Sequence, residues 1–330
     1  MARPRPKPST KQKNASAIEP LNLLSEGDLA QRLGISREKL RSIARDADSH
    51  YNPFSQIKPP RPFARKTSKL KIREIDQPLD PLLEVQKRIY RILLRDLDLP
   101  EHINGGVKGR SVLDNVKHHQ NEKPIVTLDI KSCFPTITTN KIYFVWRVVL
   151  KCSHKVAKLL TRLTTFEGHL PQGAPTSTTL ANLVLNSIDA PIRKAAAELG
   201  VNYSSWIDDI PLSGSEARNL IPLAVSTFKR QGFRVSRSKL KVMGDRKRRE
   251  VNGVIAGATP SIPRKMRDRI RAALHHLKVG DIRDENRASY IATQKGRIAY
   301  LASINPSQAR KFKIQLAEIL STLDEYMIKV

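Results

Sequence analysis

The spacing of apolar positions predicts helices in the N-terminal part of the chain. Residues 25–45 place four apolar side chains at helical spacing, with a break at Gly34 and a cap at Ser36: Leu29, Leu33, Leu40 and Ile43. Two short helices joined in this way are also typical of a helix-turn-helix. A further helix is predicted from Pro81 onward, and a longer one over Ser177–Leu199, stopped by Gly200.

Strand patterns alternate with these helices. A Pro-rich bridge over Asn52–Phe63 precedes a basic, strand-like stretch, Arg65–Ile75, and the short apolar run 124–130 (PIVTLDI) is typical of a buried strand. Tyr203–Ser213 predicts strand, tight turn and strand around Asp208 and Asp209. Further strand-like pieces follow at Gln231–Val242 and Arg249–Ile255, and from Pro263 the pattern is basic and helical. This order predicts an α+β fold with a helical appendage.

Charge narrows the class of partner. The 330 residues include 59 Lys and Arg against 31 Asp and Glu, a formal net charge of +28. Such an excess favours a polyanionic partner, most commonly nucleic acid. A membrane is not expected as a partner, because the most apolar run, Ile142–Val149, is short and contains Arg147.

The number of cysteines argues against a disulfide-rich protein and against a structural zinc protein. Cys133 and Cys152 are the only cysteines, so neither a disulfide framework nor a structural zinc site is expected. The composition therefore predicts a cytoplasmic protein.

Candidate chemistry lies in three carboxylates. Asp129 ends the apolar run 124–130, and Asp208 and Asp209 occupy the predicted turn. An Asp pair can simply be a turn, since Asp bonds to nearby backbone amides. On neighbouring strands, however, these side chains would supply the oxygen ligands that two Mg²⁺ ions need for nucleotidyl transfer.

Read in order, the segments around these aspartates resemble the motifs of reverse transcriptases. The similar segments are Arg73–Pro78 (REIDQP), the helix from Asp80, Leu128–Phe134 (LDIKSCF), Leu170–Ser177 (LPQGAPTS), Trp206–Asp209 (WIDD, where Trp206 replaces the usual Tyr) and Gly232–Lys239 (GFRVSRSK). The resemblance implies a right-hand polymerase, with motifs over about 65–255. A basic tail (1–24) would precede N-terminal helices, fingers and palm (25–255), and a helical thumb (256–330) would follow.

Within that superfamily the chain is most similar to bacterial retron reverse transcriptases. The N-terminal helices followed by Tyr51 and Phe54 have that pattern, as does the tail over residues 294–312. Asn115-Val-Lys-His-His119 resembles the family's Asn-Ala-x-x-His. Val251-Asn252-Gly253 stands where retron enzymes have Val-Thr-Gly.

The resemblance implies roles for individual residues. Asp129, Asp208 and Asp209 would bind two Mg²⁺ ions, and Lys239 would protonate the departing pyrophosphate or track a phosphate. The implied nucleotide-binding residues are Lys71 (or Lys69), Arg73, Phe134, Gln172 and Gly173. Phe134 would exclude a 2′-hydroxyl; by itself it would be interpreted as an ordinary core aromatic. The implied RNA-binding residues are Asn115, His119, Val251, Asn252 and Gly253.

The implied function is RNA-directed DNA synthesis from deoxynucleoside triphosphates. A retron enzyme would copy a cognate noncoding RNA into branched, RNA-linked DNA (msDNA), primed from a guanosine 2′-hydroxyl, in antiphage defence with an effector protein. One alternative is an intron-encoded or abortive-infection type of reverse transcriptase with different priming. Another is a non-catalytic DNA-binding regulator that uses residues 28–45 as a helix-turn-helix.

Overall fold

The computed structural model describes residues 18–58, 71–244 and 248–328, and it combines helices with antiparallel sheets. The predicted α+β class is confirmed. The chain divides into two units: the described residues up to Lys108 together with Ser132–Ile188, and Gly109–Lys131 together with the described residues from Asp189 onward. The domain boundaries at residues 24 and 255 stay predictions.

The helices and strands have the following bounds. The helices are α1 (Glu26–Leu33), α2 (Arg37–Arg45), α3 (Leu82–Ile89), α4 (Val112–Lys117), α5 (Cys133–Thr136), α6 (Thr139–Phe144), α7 (His154–Thr164), α8 (Ser177–Ile188), α9 (Ala190–Glu198), α10 (Ile221–Arg230), α11 (Arg264–Lys278), α12 (Asp284–Ile304) and α13 (Pro306–Ile328). The strands are β1 (Tyr51–Lys58), β2 (Lys71–Pro78), β3 (Ile125–Lys131), β4 (Asn202–Tyr203), β5 (Asp209–Ser213), β6 (Arg234–Val235), β7 (Lys241–Met243), β8 (Glu250–Val251) and β9 (Val254–Ile255). Ala47–His50 forms a 3₁₀ turn, and Tyr90–Leu94 and Val145–Val149 continue α3 and α6 as π-helical turns.

The first unit begins with the predicted helix pair. Ser25 caps α1 in a capping box with Asp28, and Ser36 caps α2. Gly34 ends α1 in the left-handed region, at φ 62°, which costs glycine little. The four apolar residues on which the prediction rested are buried, so the two helices are confirmed.

The Pro-rich bridge prediction is wrong for residues 52–58. This segment is β1, which pairs antiparallel with β2 over its whole length, and Pro53 stands opposite Asp76. A two-stranded sheet consists of edge strands, where the missing N–H of proline is tolerated. Residues 59–70, including Lys69 and much of the predicted strand 65–75, lie outside the described residues, and the strand is confirmed from Lys71 to Ile75.

The single helix predicted over Ser177–Leu199 is two helices, α8 and α9, separated at Asp189. Pro191 explains the break, because it has no N–H to donate to the carbonyl of Ser187. In the second unit the Asp189 carboxylate is buried and accepts hydrogen bonds from the Tyr203 hydroxyl (2.6 Å) and from Arg193 Nε (2.8 Å).

The second unit is organised around β3. Its residues Ile125, Val126, Leu128 and Ile130 are buried, which confirms the strand predicted from the apolar run. In the described residues the sheet has the order β4-β5-β3-β6, and β7 also pairs with β3. The chain between β6 and β7 forms a turn over residues 236–240. The strand-like piece predicted over Gln231–Val242 is therefore two short strands with a turn between them.

The C-terminal helices of this unit pack on the small β8–β9 hairpin. Val251, Val254, Ile270, Leu274 and Leu301 belong to one buried apolar cluster. The Lys and Arg residues of α11 are mostly exposed or half-buried. The predicted basic helices from Pro263 onward are confirmed.

Close backbone packing fixes one loop of the first unit. Gly106 has a φ of 69°, and a Cβ built on it would overlap the Thr178 side chain of α8. Asn182 of the same helix donates through Nδ2 to the carbonyl of Gly105 at 2.8 Å. Gly109 has a similar φ of 79° but no atom within 4 Å of such a Cβ.

We therefore expect Gly106→Ala to destabilise the protein more than Gly109→Ala. Both substitutions place a side chain at positive φ, but only Gly106→Ala also overpacks the contact with α8, which costs about 1–3 kcal/mol more. Urea unfolding of the two variants measures the difference. Equal losses of stability would contradict this account of the loop.

Candidate active site

Two aspartates lie directly opposite each other where β3 pairs with β5. Asp129 and Asp209 are register partners, and the next residue, Ile130, donates its N–H to the Asp208 carbonyl at 2.9 Å. Because hydrogen-bonded and non-hydrogen-bonded pairs alternate in an antiparallel ladder, Asp129 and Asp209 form a non-hydrogen-bonded pair. Such a pair brings the Cα atoms to about 4.5 Å, with both side chains on one face of the sheet.

A two-residue turn presents Asp208. Trp206 and Asp209 exchange backbone hydrogen bonds of 2.8 and 3.1 Å, so Ile207 and Asp208 are the central turn residues. Ile207 has a φ of 58°, which is unusual for a β-branched residue and costs about 1–3 kcal/mol. The predicted strand–turn–strand is confirmed, and the aspartates are carried by a hairpin held in strained geometry.

Lys239 offsets one of the two opposed charges. The turn between β6 and β7 begins where Ser236 donates its N–H to the Asp129 carbonyl at 2.8 Å. From this turn Lys239 extends its Nζ to within 2.5 Å of Asp129 Oδ2. The other oxygen, Oδ1, is buried and has no hydrogen-bond partner.

The pKa of Asp209 is raised to about 6, first by burial and then by the charges of Asp208 and Asp129, while Lys239 opposes the shift.

Within the described residues, no three acidic, histidine or cysteine side chains come close enough to hold a metal ion. The opposed pair still suits a hard cation, since the unpartnered Asp129 Oδ1 is an acceptor and the crowded carboxylates repel each other. Asp129, Asp209 and the adjacent Asp208 are the residues that could hold it.

His119 links the two sides of the hairpin that bears Asp208. Its ring nitrogens lie 2.8 Å from Ser213 Oγ and 2.8 Å from Ser204 Oγ. Burial, and to a smaller extent His118, lowers the pKa of His119 to about 3, so the imidazole is neutral at ordinary pH. It therefore acts as a neutral hydrogen-bonding link between Ser204 and Ser213.

The predicted RNA-binding residues lie in two places in the second unit, α4 with the turn after it and the β8–β9 hairpin. Asn115, His119 and Val251 are buried, and Asn252 and Gly253 are half-buried. Asn252 donates through Nδ2 to Asp209 Oδ2 at 3.2 Å, a contact that sequence reasoning did not predict. The RNA-binding role stays a prediction, and in this conformation a direct contact would have to come from Asn252 and Gly253.

Several predicted nucleotide-binding residues lie together in the first unit. The backbone N–H of Asp76 donates to the Gln172 carbonyl at 2.9 Å, and Asp76 Oδ2 accepts from the Gln172 N–H at 3.1 Å. Gly173 has a φ of 126°, and a Cβ there would come within 3.0 Å of Ile75 Cγ2. Residues i and i+2 of a strand share a face, so exposed Arg73 projects from the same face as Ile75.

Asp76 and His169 connect β2 to the loop before Gln172. Sequence reasoning missed Asp76, a buried carboxylate inside the REIDQP segment, and its partner His169, whose Nε2 lies 3.3 Å away. An acidic residue within a strand was the available signal. Lys71 begins β2, and its side chain lies outside the part of the chain that the structure describes.

Phe134 is half-buried in α5, five residues after Asp129 in the chain. The segment that follows α5 pairs with the loop before Gln172, because Leu170 donates its N–H to the Ile137 carbonyl and Thr139 to the Gly168 carbonyl, both at 2.9 Å. The structure therefore brings the Phe134 helix to the loop that bears Gln172 and Gly173.

Comparison with known proteins matches the amino-acid sequence to a family. The sequence model of the family described as reverse transcriptase (RNA-dependent DNA polymerase) matches residues 70–261, which include the opposed aspartates and the residues around Gln172. The chain therefore belongs to the reverse transcriptase family, and it is an RNA-directed DNA polymerase.

Curated relatives give the particular type. The chain is 27% identical over 296 residues to the Retron Ec86 reverse transcriptase of Escherichia coli, which covers 88% of each chain. It is 29% identical over 308 residues to the Retron Mx65 reverse transcriptase of Myxococcus xanthus, which covers 87% of this chain and 70% of the relative. For the Retron Se72 reverse transcriptase of Salmonella heidelberg, the identity is 23% over 313 residues, with 91% and 80% covered. The resemblance to retron reverse transcriptases is confirmed.

No helix in the described residues is long and apolar enough to cross a membrane.

We expect Asp209→Asn to stabilise the metal-free protein at pH 8. The pKa of Asp209 is about 6 in the folded chain against 3.8 for the ordinary side chain, so its contribution favours folding at low pH and is lost as pH rises through 6. Removing that charge should gain roughly 1–3 kcal/mol at pH 8 and little at pH 4.

Urea unfolding with a chelator at both pH values measures this gain. The control is Asp96→Asn, an exposed carboxylate paired with Lys108, whose loss should change stability little. A destabilised Asp209→Asn variant at pH 8 would contradict the assigned repulsion.

Proposed function

We propose that this protein is the polymerase of a retron and that the hairpin bearing Asp208 and Asp209, together with Asp129, is its catalytic centre. It copies a cognate structured RNA into branched, RNA-linked DNA (msDNA), primed from a guanosine 2′-hydroxyl. The observation that carries the catalytic assignment is the direct opposition of Asp129 and Asp209. Like charges on neighbouring strands are costly where one is buried and the other half-buried, and a site for cations is a reason to retain them.

The three aspartates would hold two Mg²⁺ ions. Bound there, the ions would supply Lewis-acid stabilisation of the attacking and leaving oxygens during nucleotidyl transfer. The protein's own contribution is position. The β3–β5 ladder fixes Asp129 against Asp209, and the strained turn at Ile207 holds Asp208 at its tip.

Lys239 would serve the leaving group. Its ammonium is a mobile donor on a flexible stem, only partly buried, and the ion pair with Asp129 keeps it at the site. Because its stem is flexible, the ammonium could also reach the departing pyrophosphate and would donate a proton there.

The first unit would supply the nucleotide contacts. Arg73 and Lys71 would bind the triphosphate, where a guanidinium can make bidentate bonds. Gln172 and Gly173 would contact the nucleotide, and Phe134 would occupy the space of a 2′-hydroxyl. Asp76 and His169 hold the Gln172 loop to β2, so the residues for nucleotide binding are preorganised.

The charge of +28 supports binding of the RNA template and the RNA–DNA product through phosphates. Residues up to about 255 would form the fingers and palm, and the basic helices α11–α13 would form the thumb that follows the duplex. The similarity to named retron enzymes over most of the chain supports retron priming rather than intron-encoded or abortive-infection priming. A cytoplasmic role in antiphage defence with an effector protein completes the proposal.

Primer extension tests the catalytic assignment. Purified protein with a primed RNA template, Mg²⁺ and deoxynucleotides should make DNA, whereas Asp208→Ala and Asp209→Ala should each lose at least about 100-fold of the rate. Asp96→Ala, an exposed carboxylate of the first unit, is the matched control and should retain the rate. Equal rates for all four proteins would contradict the assignment.

A second experiment tests the sugar selectivity. Phe134→Ala should admit ribonucleotides, because the space that the ring fills becomes open to a 2′-hydroxyl. We expect the preference for deoxynucleotides, measured as a ratio of kcat/KM values, to fall at least about tenfold. An unchanged ratio would show that another side chain excludes the hydroxyl.

A further inference from the structure

A chain of two amides connects the interior of the second unit to Asp209. Asn115 Nδ2 donates to Asn252 Oδ1 at 2.5 Å, and Asn252 Nδ2 donates to Asp209 Oδ2 at 3.2 Å. An ionised carboxylate can only accept, so the Asp209 end requires the NH₂ group of Asn252. The oxygen of Asn252 then needs a donor, and the NH₂ group of Asn115 is that donor.

Turn chemistry explains why residue 252 can reach Asp209. Asn252 and Gly253 connect β8 to β9, with φ values of 48° and 82°. Two positive φ values in a two-residue hairpin loop define a type I′ turn, for which Asn-Gly is a preferred pair. The turn therefore favours asparagine at this position for its backbone as well as for its side chain.

Asn115, the donor at the other end of this pair of hydrogen bonds, is also held in place. Asn115 is fully buried in α4, a helix that begins with a capping box between Ser111 and Asp114. His119 lies in the turn that follows α4, two residues after Lys117. Asn115 therefore supports the 252 turn, and His119 supports the hairpin through Ser204 and Ser213.

We propose that Asn115 and Asn252 are positioning residues for the catalytic centre, which hold the Asp209 carboxylate in one orientation for the cation. The inference rests on the proposed function. Asp209 faces like charges from Asp129 and Asp208, and the Asn252 amide donates a neutral hydrogen bond to its carboxylate. Partners of this kind around a metal ligand commonly change metal affinity or activity by 10–100-fold when they are removed.

Asn252→Gly is the sharpest variant. Glycine accepts the positive φ of the turn, so the backbone is retained and only the amide is lost. The matched control is Asn121→Gly, because Asn121 also has a positive φ (65°) and is exposed. Asn121→Gly should unfold close to the wild type, and Asn252→Gly at a somewhat lower urea concentration, because the buried Asn115 NH₂ loses an acceptor. Circular dichroism in the assay buffer checks that both variants are folded.

The readouts separate positioning from RNA recognition. In the first readout, terbium(III), a hard cation that binds oxygen ligands, is added to the protein without nucleic acid. Its luminescence, sensitised through Trp206, the cross-strand partner of Asp209, gives the terbium concentration for half-saturation. Extension of a generic primed template, with no retron RNA, then gives the Mg²⁺ concentration for half-maximal rate. We expect Asn252→Gly to raise both half-saturating concentrations about tenfold and Asn121→Gly to raise neither.

Two further variants complete the test. Asn115→Ala with Asn252→Gly should be no worse than the more impaired single variant, because both act through one chain, whereas multiplied effects would overturn the role of Asn115. Asp209→Asn identifies which claim fails. If it is inactive while Asn252→Gly matches the wild type in both readouts, only the positioning proposal is overturned. If it is active, the proposed catalytic centre fails as well.

Discussion

Two negative charges held face to face across β3 and β5 are the constraint on which the second unit depends. Asp129 and Asp209 are register partners, so neither can turn away without loss of the ladder. Two features counter the resulting repulsion: Lys239 pairs with Asp129, and Asn252 donates to Asp209. The remaining repulsion, together with burial, raises the pKa of Asp209 to about 6. The fold thus accepts a cost in stability at this pair, which the proposed cation site would explain.

The elements around this pair stabilise the position of the two carboxylates. The β6–β7 turn places Lys239 beside Asp129, and the I′ turn of β8–β9 places Asn252 beside Asp209. Pro211 stands in the middle of β5 opposite Ser204, whose N–H donates to the Pro211 carbonyl at 3.3 Å, while proline has no N–H to return the bond. The side chain of Ser204 contacts His119.

Local patterns were sufficient for part of this picture. The apolar run before Asp129 and the turn signal at Asp208 predicted the elements that bring the carboxylates together, and the order of the motifs predicted the family. Pro53 concealed β1, because proline argues against a strand unless the strand lies at an edge. The Asn252–Asp209 and Asn115–Asn252 contacts span 43 and 137 residues, and no local propensity encodes such pairings.

The central claim is that the opposed carboxylates form a cation site. Thermal unfolding of the purified protein in increasing Mn²⁺ measures it directly, with the Asp129→Asn, Asp209→Asn double variant for comparison. A ligand that binds only the folded state raises the midpoint with its concentration. We expect the wild-type midpoint to rise with Mn²⁺ and that of the double variant to stay constant. Equal rises in both proteins would contradict the account.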